Sequence, residues 1–162
     1  HIEVKTAEDG ELLVKGPCVM LGYYKDEEAT QEVMTEDGYL KTGDIGYAEG
    51  KVLYVTGRKK NLIILGNGKN VSPEYLEAKL YELPYVKECL VVEKKSDNKT
   101  SILLAKIFPD GEPREFDRVR METDLKRIND NLASYMRIDD YEIMEQEFEK
   151  TSTKKIKRNA YV

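Results

Sequence analysis

The stretch LIILGNGKNVSPEYLEAKL (residues 62–80) decides the fold of the second part of this chain. It opens with a strand-sized aliphatic run at 62–65, and a glycine-rich loop follows at 66–69. Ser72-Pro73 predicts the start of a helix, because serine caps free backbone N–H groups and proline suits the first helical position. Leucines then recur at helical spacing, at Leu76, Leu80 and Leu83.

Beyond this helix the apolar pattern predicts two strands, a second helix and a final strand. The two strands are separated by a polar turn at 96–99, and the second helix carries apolar residues on one face. The predicted ranges are 89–93 and 102–108 for the strands, 117–132 for the helix and 141–144 for the last strand. The order from residue 62 therefore indicates a compact α+β domain of about 100 residues, a usual domain size.

The first third of the chain is a series of short strands broken by turns. We expect strands at 11–15 and 19–24, a short helix at 26–34, and a hairpin whose strands 45–47 and 52–55 flank Glu49-Gly50. The fold class predicted for the whole chain is thus α+β. A small antiparallel β unit precedes a compact domain with a short sheet and flanking helices.

Composition excludes several classes of function. The 162 residues carry a formal net charge of -5, which argues against a general nucleic-acid binder. No apolar run reaches the length of a membrane-spanning helix. We expect a cytoplasmic protein, with peripheral attachment to a membrane as the alternative.

Metal and nucleophile chemistry have few candidate residues. One histidine and two cysteines leave almost nothing for a zinc site or a Cys/His nucleophile, and we predict no metal ligands. Cys18 and Cys89 both lie in apolar, strand-like sequence. We expect both to be small core residues in a reducing compartment rather than a disulfide.

Two short motifs in the first third could contact a ligand. In Thr42-Gly43-Asp44 the glycine lets the backbone approach a ligand, and the carboxylate could accept hydrogen bonds from vicinal hydroxyls. The alternative is a β-turn between two strands. Gly57-Arg58 could hold a ribose or phosphate oxygen through the forked guanidinium, or could simply place an arginine at the surface.

Two further motifs lie in the second part. The loop Gly66-Asn67-Gly68-Lys69 lacks the Walker pattern and either packs against something narrow or merely forms a turn. The segment TSTKKIKR (151–158) could present a lysine to an anionic centre, or could be a solvated basic tail.

In order and spacing, these motifs resemble those of acyl-CoA synthetases in the adenylate-forming (AMP-binding) superfamily, in particular bacterial long-chain fatty-acid–CoA ligases. The resemblance covers essentially the whole chain. The segments that carry it are GELLVKG (10–16), GYY (22–24), YLKTGDIG (39–46), GRKKNLI (57–63), GKNVSPEYLE (68–77) and TSTKKIKR (151–158).

The resemblance implies a role for each matching residue. Asp44 would bind the ribose hydroxyls of ATP or AMP, Arg58 the ribose and nearby phosphate, and Lys60 would be the hinge of a mobile domain. Lys155 would be the catalytic lysine of adenylation. The loop with Gly68 and Lys69 would face the attacking thiol.

One position departs from the family pattern. The family usually has glycine before the catalytic lysine, and this chain has Lys154. The following Ile-x-Arg favours Lys155 as the match, although either lysine could reach the reacting groups.

The resemblance also implies the organisation of the parent protein. Residues 1–59 would be the end of a large amino-terminal adenylation domain, and residues 60–162 the mobile carboxy-terminal domain. The missing amino-terminal domain would hold the acid pocket and the phosphate loop, so this part alone should be inactive. The parent would use ATP, Mg²⁺ and CoA, with none bound tightly here, to activate a fatty or other carboxylic acid.

Two alternatives stay open. The same fold could charge a carrier-protein thiol instead of CoA. The chain could also be a non-catalytic interaction module whose lysines form only a basic tail.

Overall fold

A computed structural model describes residues 1–50, 52–95 and 101–161 and divides the chain into two compact units. The first unit is His1–Asn61, and the second begins at Leu62. Strands and helices are mixed throughout, which confirms the predicted α+β class. The assignment of the two parts to a large and a mobile domain stays a prediction.

The first unit is built on one antiparallel sheet with the strand order β1-β2-β3-β4. Its elements are β1 (Glu3–Thr6), β2 (Glu11–Lys15), α1 (Glu27–Val33), β3 (Leu40–Glu49) and β4 (Val52–Arg58). Asp26 caps the start of helix α1, since its side chain accepts a hydrogen bond from the backbone N–H of Ala29. The small antiparallel β unit, the hairpin and the short helix are therefore as predicted.

Two predictions for residues 18–24 of this unit are wrong. Residues 19–24 form no strand: the chain turns after Gly16, and Leu21 and Tyr24 are almost fully exposed. Cys18 lies in the same turn and is exposed, so it is not a core residue. The apolar residues of this segment have no sheet face to pack against, which is why β-propensity alone misled.

The Thr42-Gly43-Asp44 motif lies inside β3 and not between two strands. The ladder with β2 shifts register here, since Glu11 is opposite Ile45 while Leu13 is opposite Lys41. The extra residues of β3 form a bulge. Bulges redirect side chains and are frequent beside functional sites.

The second unit has the predicted order of elements with one addition. Its sheet runs β7-β8-β9, with β7 and β8 antiparallel and β8 and β9 parallel. The additional strand, β6, pairs with β5 across the glycine loop, and β5 is shorter than predicted because it has only this partner. The predicted turn at 96–99 lies outside the described residues. The elements are β5 (Ile63–Ile64), β6 (Asn70–Val71), α2 (Pro73–Tyr81), β7 (Val86–Lys95), β8 (Ser101–Pro109), α3 (Arg118–Asp130) and β9 (Asp140–Ile143).

Both faces of this sheet are covered. On one face Cys89 and Val91 belong to the main core, which α2 and α3 complete. On the other face Leu90 and Val92 pack with Phe148 from the last segment of the chain. Strand β7 therefore has a continuous apolar run rather than an alternating pattern. Among the described residues, no helix is long and apolar enough to cross a membrane.

Candidate functional site

The bulge in β3 places Asp44 directly opposite Arg58 at the end of β4. The Nε of Arg58 lies 2.8 Å from Oδ1 of Asp44, and both side chains remain partly open to solvent. Gly43 has a φ of +71°, a conformation that glycine adopts without strain. The structure thus brings together the two side chains that the sequence predicted for ribose and phosphate.

Backbone and hydroxyl contacts fix the bulge. The Thr42 hydroxyl donates to the carbonyl of Leu12 at 2.7 Å and accepts from the backbone N–H of Asp44 at 3.0 Å. Because these bonds fix the backbone on both sides of Gly43, the Asp44 carboxylate has a defined position. A carboxylate beside a guanidinium can bind a diol and a nearby anion together.

Sequence reasoning missed the residue beneath this bulge, Glu11. Its carboxylate is buried, and its Oε1 accepts a hydrogen bond from the Gly43 N–H at 2.9 Å. Its Oε2 lies 2.7 Å from Nζ of Lys59, which also contacts Asp9 at 2.6 Å. The hydrogen bond from Lys59 lowers the pKa of Asp9, and the two carboxylates raise the pKa of Lys59. The sequence did contain one indication of a buried carboxylate, because Glu11 is the first residue of strand β2, directly before the apolar run at 12–14.

The predicted hinge residue, Lys60, is exposed in a short 3₁₀ turn, Lys59–Asn61. The boundary between the two compact units follows this turn directly. Lys59, the residue before Lys60, is fixed within the first unit by its ion pairs with Asp9 and Glu11. The hinge role of Lys60 itself stays a prediction.

The glycine loop of the second unit is a tight connection between β5 and β6. The Leu65 N–H donates to the Lys69 carbonyl at 2.9 Å, and the Gly68 N–H donates to the Leu65 carbonyl at 2.8 Å. Gly68 has a φ of +76° and lies at an open surface where a Cβ would meet nothing within 4 Å. Nζ of Lys69 lies 5.7 Å from the ring centre of Tyr135. The loop is therefore exposed and shaped by its glycine.

The segment TSTKKIKR begins with a small hairpin rather than a free tail. Lys150 and Ile156 form a bridge, and the Thr151 N–H donates to the Lys155 carbonyl at 2.8 Å. The Lys155 N–H in turn donates to the Thr151 hydroxyl at 3.2 Å. Lys154 has a φ of +62°, the conformation of a residue that closes a three-residue hairpin loop. Lys154 and Lys155 are both exposed at the tip, where a cation could meet an anionic ligand.

Below the tip, Arg158 forms a two-pronged ion pair with Glu77 of α2. Its NH1 lies 2.8 Å from Oε1 and its NH2 lies 2.9 Å from Oε2 of the glutamate. Glu77 is buried and also accepts a hydrogen bond from the Val91 N–H at 2.7 Å. In the sequence Arg158 served only to align the lysine, and Glu77, the last residue of the segment 68–77, was given no role.

The predicted site residues therefore fall into two groups. Asp44 and Arg58 lie together in the first unit, whereas Lys155, Gly68 and Lys69 lie in the second. In the ranges that the structure describes, no cluster of acidic, histidine or cysteine side chains could hold a metal ion.

Comparison with known families identifies the second unit. The AMP-binding enzyme C-terminal domain matches residues 75–155, half of the chain. The chain therefore belongs to the AMP-binding enzyme C-terminal domain family, as the sequence motifs predicted. Its relatives include acyl-CoA and aryl-CoA ligases of the adenylate-forming superfamily.

Two of these relatives show the extent of the likeness. A 2-succinylbenzoate–CoA ligase of Listeria monocytogenes is 40% identical over 159 residues, which are 97% of this chain and 32% of the ligase. A long-chain-fatty-acid–CoA ligase of Mycobacterium tuberculosis is 47% identical over 90 residues, 55% of this chain and 15% of that protein. The chain thus spans about a third or less of the length of these ligases.

The solved structures agree with the sequence relatives. The O-succinylbenzoate CoA synthetase of Bacillus subtilis, in complex with ATP and a magnesium ion, superposes with a TM-score of 0.78 at 27% identity. The match covers 98% of this chain and 33% of the synthetase chain. Both units of the chain therefore have counterparts in one CoA synthetase.

Proposed function

We propose that this chain is the carboxy-terminal part of an ATP-dependent acyl-CoA ligase. The ligase activates a carboxylic acid as an acyl-adenylate and transfers the acyl group to CoA. Residues 1–59 end its large adenylation domain, and residues 60–162 are its mobile domain. The observation that carries the proposal is the Asp44–Arg58 pair, fixed on a strand bulge yet open to solvent. The many CoA ligases among the relatives support the same reaction.

Asp44 and Arg58 fit the nucleotide. The carboxylate accepts hydrogen bonds from the ribose hydroxyls, and the guanidinium binds a ribose or α-phosphate oxygen. The bulge holds both groups on rigid strands, so the ribose stays fixed while other parts of the enzyme move. ATP is used with Mg²⁺, and the described residues include no group of three or more acidic, histidine or cysteine side chains that could hold the metal. Phosphate oxygens of ATP would supply part of its coordination.

Lys155 supplies positive charge during adenylation. Attack of the substrate carboxylate on the α-phosphate concentrates negative oxygens at the reacting centre as pyrophosphate leaves. A cation placed there beforehand stabilises the charge that develops. The exposed hairpin tip lets the Lys155 ammonium approach the nucleotide without burying the rest of the domain.

The second half-reaction uses a different face of the same domain. Rotation about Lys60 withdraws Lys155 and presents the loop with Gly68 and Lys69 to the thiol of CoA. Because the glycine loop has no side chain at Gly68, a narrow pantetheine arm can approach the backbone. Domain rotation between two half-reactions is a known way to use one mobile element for two tasks.

The acid is proposed to be a fatty acid. The long-chain ligase of Mycobacterium tuberculosis supports this choice through its 47% identity over 90 residues. The pocket that selects the acid would lie in the amino-terminal domain. The isolated 162-residue chain should therefore form no acyl-adenylate and bind ATP weakly.

The test is Lys155→Ala in the full-length ligase, with the two half-reactions measured separately. Acid-dependent pyrophosphate release should fall by about 10²–10³-fold, the effect of removing one preorganised charge-stabilising group. Thioester formation from supplied acyl-adenylate and CoA should change little. The matched control, Lys154→Ala, removes the neighbouring charge and should retain most of the adenylation rate. Equal losses in both half-reactions would refute the role of Lys155.

A second assay tests the nucleotide site. Asp44→Asn keeps the size of the side chain but weakens its acceptance of ribose hydroxyls, so the KM for ATP should rise while melting is little changed. Asp37→Asn, at an exposed aspartate elsewhere in the same unit, is the matched control. An unchanged KM for ATP in Asp44→Asn would contradict the assignment. Robust acyl-adenylate formation by the isolated chain would contradict its proposed inactivity.

A further inference from the structure

Arg158 and Glu77 form a buried ion pair that the proposed mechanism does not use. The two residues are 81 positions apart in sequence, yet NH1 of the arginine lies 2.8 Å from Oε1 of the glutamate and NH2 lies 2.9 Å from Oε2. Only 19% of the Arg158 side chain and 10% of the Glu77 side chain are exposed. Such two-pronged pairs fix orientation as well as distance.

The ion pair connects three parts of the second unit: helix α2, strand β7 and the last segment of the chain. Glu77 lies on α2 and accepts the Val91 N–H of β7, while NH1 of Arg158 donates to the Val91 carbonyl at 3.2 Å. NH2 of Arg158 also lies 3.7 Å from a carboxylate oxygen of Glu74, one turn earlier on α2. The arginine is therefore held against a helix and a central strand at once.

Only two residues separate Arg158 of this ion pair from Lys155. Ile156 packs against the cluster around Leu90 and Phe148, and the Lys157 N–H donates to the Glu149 carbonyl at 2.8 Å. The second strand of the lysine hairpin is thus fixed at its base, whereas its tip is exposed. The position of the Lys155 backbone depends on where Arg158 is held.

We propose that the Glu77–Arg158 pair positions Lys155 for the adenylation step. The inference rests on the proposed function and adds two positioning residues to it. Stability alone explains a buried ion pair poorly, because well-packed apolar residues often replace such pairs without loss of stability. Positioning of Lys155 explains the pair better, since a displacement of about 1 Å at a reacting group can cost roughly 10²-fold in rate.

The experiment is Arg158→Lys in the full-length ligase. Lysine keeps the charge but cannot make the two-pronged contact. We expect the kcat of acid-dependent pyrophosphate release to fall by roughly 10-fold to 100-fold, as expected for a misplaced reacting group. The KM for ATP and the rate of thioester formation from supplied acyl-adenylate should stay within about twofold, because neither depends on the place of Lys155. Arg127→Lys, at an exposed arginine on α3, is the matched control and should change nothing.

Two results would overturn the inference. Equal losses in both half-reactions would mean that the pair only maintains the domain, and an unchanged adenylation rate would mean that it does not position the lysine. If Arg158→Lys fails to fold, Glu77→Gln takes its place. This variant retains an oxygen for the Val91 N–H but weakens the grip on the arginine, and the same selective loss is expected.

Lys155→Ala, measured in parallel, separates this inference from the proposed function. If Lys155→Ala leaves adenylation intact, the proposed function is wrong in its catalytic lysine. If Lys155→Ala abolishes adenylation while Arg158→Lys does not lower it selectively, only the positioning role is wrong.

Discussion

Replacing Lys154 by glycine should stabilise the chain, although it removes a side chain and a charge. Lys154 has a φ of +62°, in the left-handed region where an L-residue with a Cβ costs roughly 1–2 kcal/mol. Glycine removes that cost but loses about 0.5–1 kcal/mol of extra conformational entropy on folding. The difference is a net stabilisation of about 0.5–1 kcal/mol.

The comparison that isolates the backbone effect is Lys154→Gly against Lys154→Ala. Both variants remove the charge and the long side chain, and they differ only in the Cβ. With a typical urea dependence of about 1–3 kcal/mol per molar, the glycine variant should unfold at a few tenths molar more urea than the alanine variant. Circular dichroism during urea titration of the 162-residue chain measures the shift.

A matched pair in the first unit extends the test. Lys25 also has a positive φ, +54°, so Lys25→Gly should likewise be more stable than Lys25→Ala. If the alanine variants equal or exceed the glycine variants at both positions, left-handed strain is not the reason why the family pattern has glycine before its lysine.

Three further predictions concern other parts of the chain. Glu11→Ala should lower the free energy of unfolding by about 1–3 kcal/mol, because it leaves a backbone N–H of the β3 bulge without its acceptor. The exposed control Glu8→Ala should stay within about 0.5 kcal/mol, and similar losses for both would contradict the role of the buried carboxylate. Native protein at pH about 8 should take up one equivalent of iodoacetamide, at exposed Cys18, since burial raises the pKa of the Cys89 thiol to about 12. Mass spectrometry showing rapid labelling of Cys89 before unfolding would disprove this. Hydrogen bonds from its two lysine partners lower the pKa of Glu147 from 4.5 to about 2, so its stabilising contribution is present above pH 4.5 and is lost as the pH falls towards 2. Glu147→Gln should therefore flatten this part of the acid unfolding curve, and an unchanged curve would refute the coupling.

Elements with local signals were predictable from the sequence. Pro73 does occupy the first turn of α2, and helix α3 follows the apolar spacing of Met121 and Leu125. The run at 19–24 failed because strand formation needs a partner strand, and no local pattern supplies one. Strand β6 was missed for the same reason, since only its pairing with β5 makes it a strand.

The candidate site was predictable only where its residues lie within recognisable motifs. Asp44 and Arg58 belong to such motifs, and the cross-strand register brings them together. Glu11 contributes from a strand 32 residues before Gly43, and Glu77 lies 81 residues before Arg158. Contacts of that sequence separation are set by the tertiary fold, which is why the sequence alone did not reveal the two buried glutamates.

The apolar cluster around Leu90 and Phe148, on the second face of the β7-β8-β9 sheet, makes the order of the lysine hairpin depend on folding of the domain. Phe148 and Tyr161 meet edge to face with ring centres 5.0 Å apart, and both pack on the apolar face formed by Leu90 and Val92. The lysine hairpin is the stretch of chain between these two aromatic residues. Its charged tip can therefore take shape only when the last apolar layer of the domain closes, so an incompletely folded chain would have no ordered lysine to offer to a nucleotide.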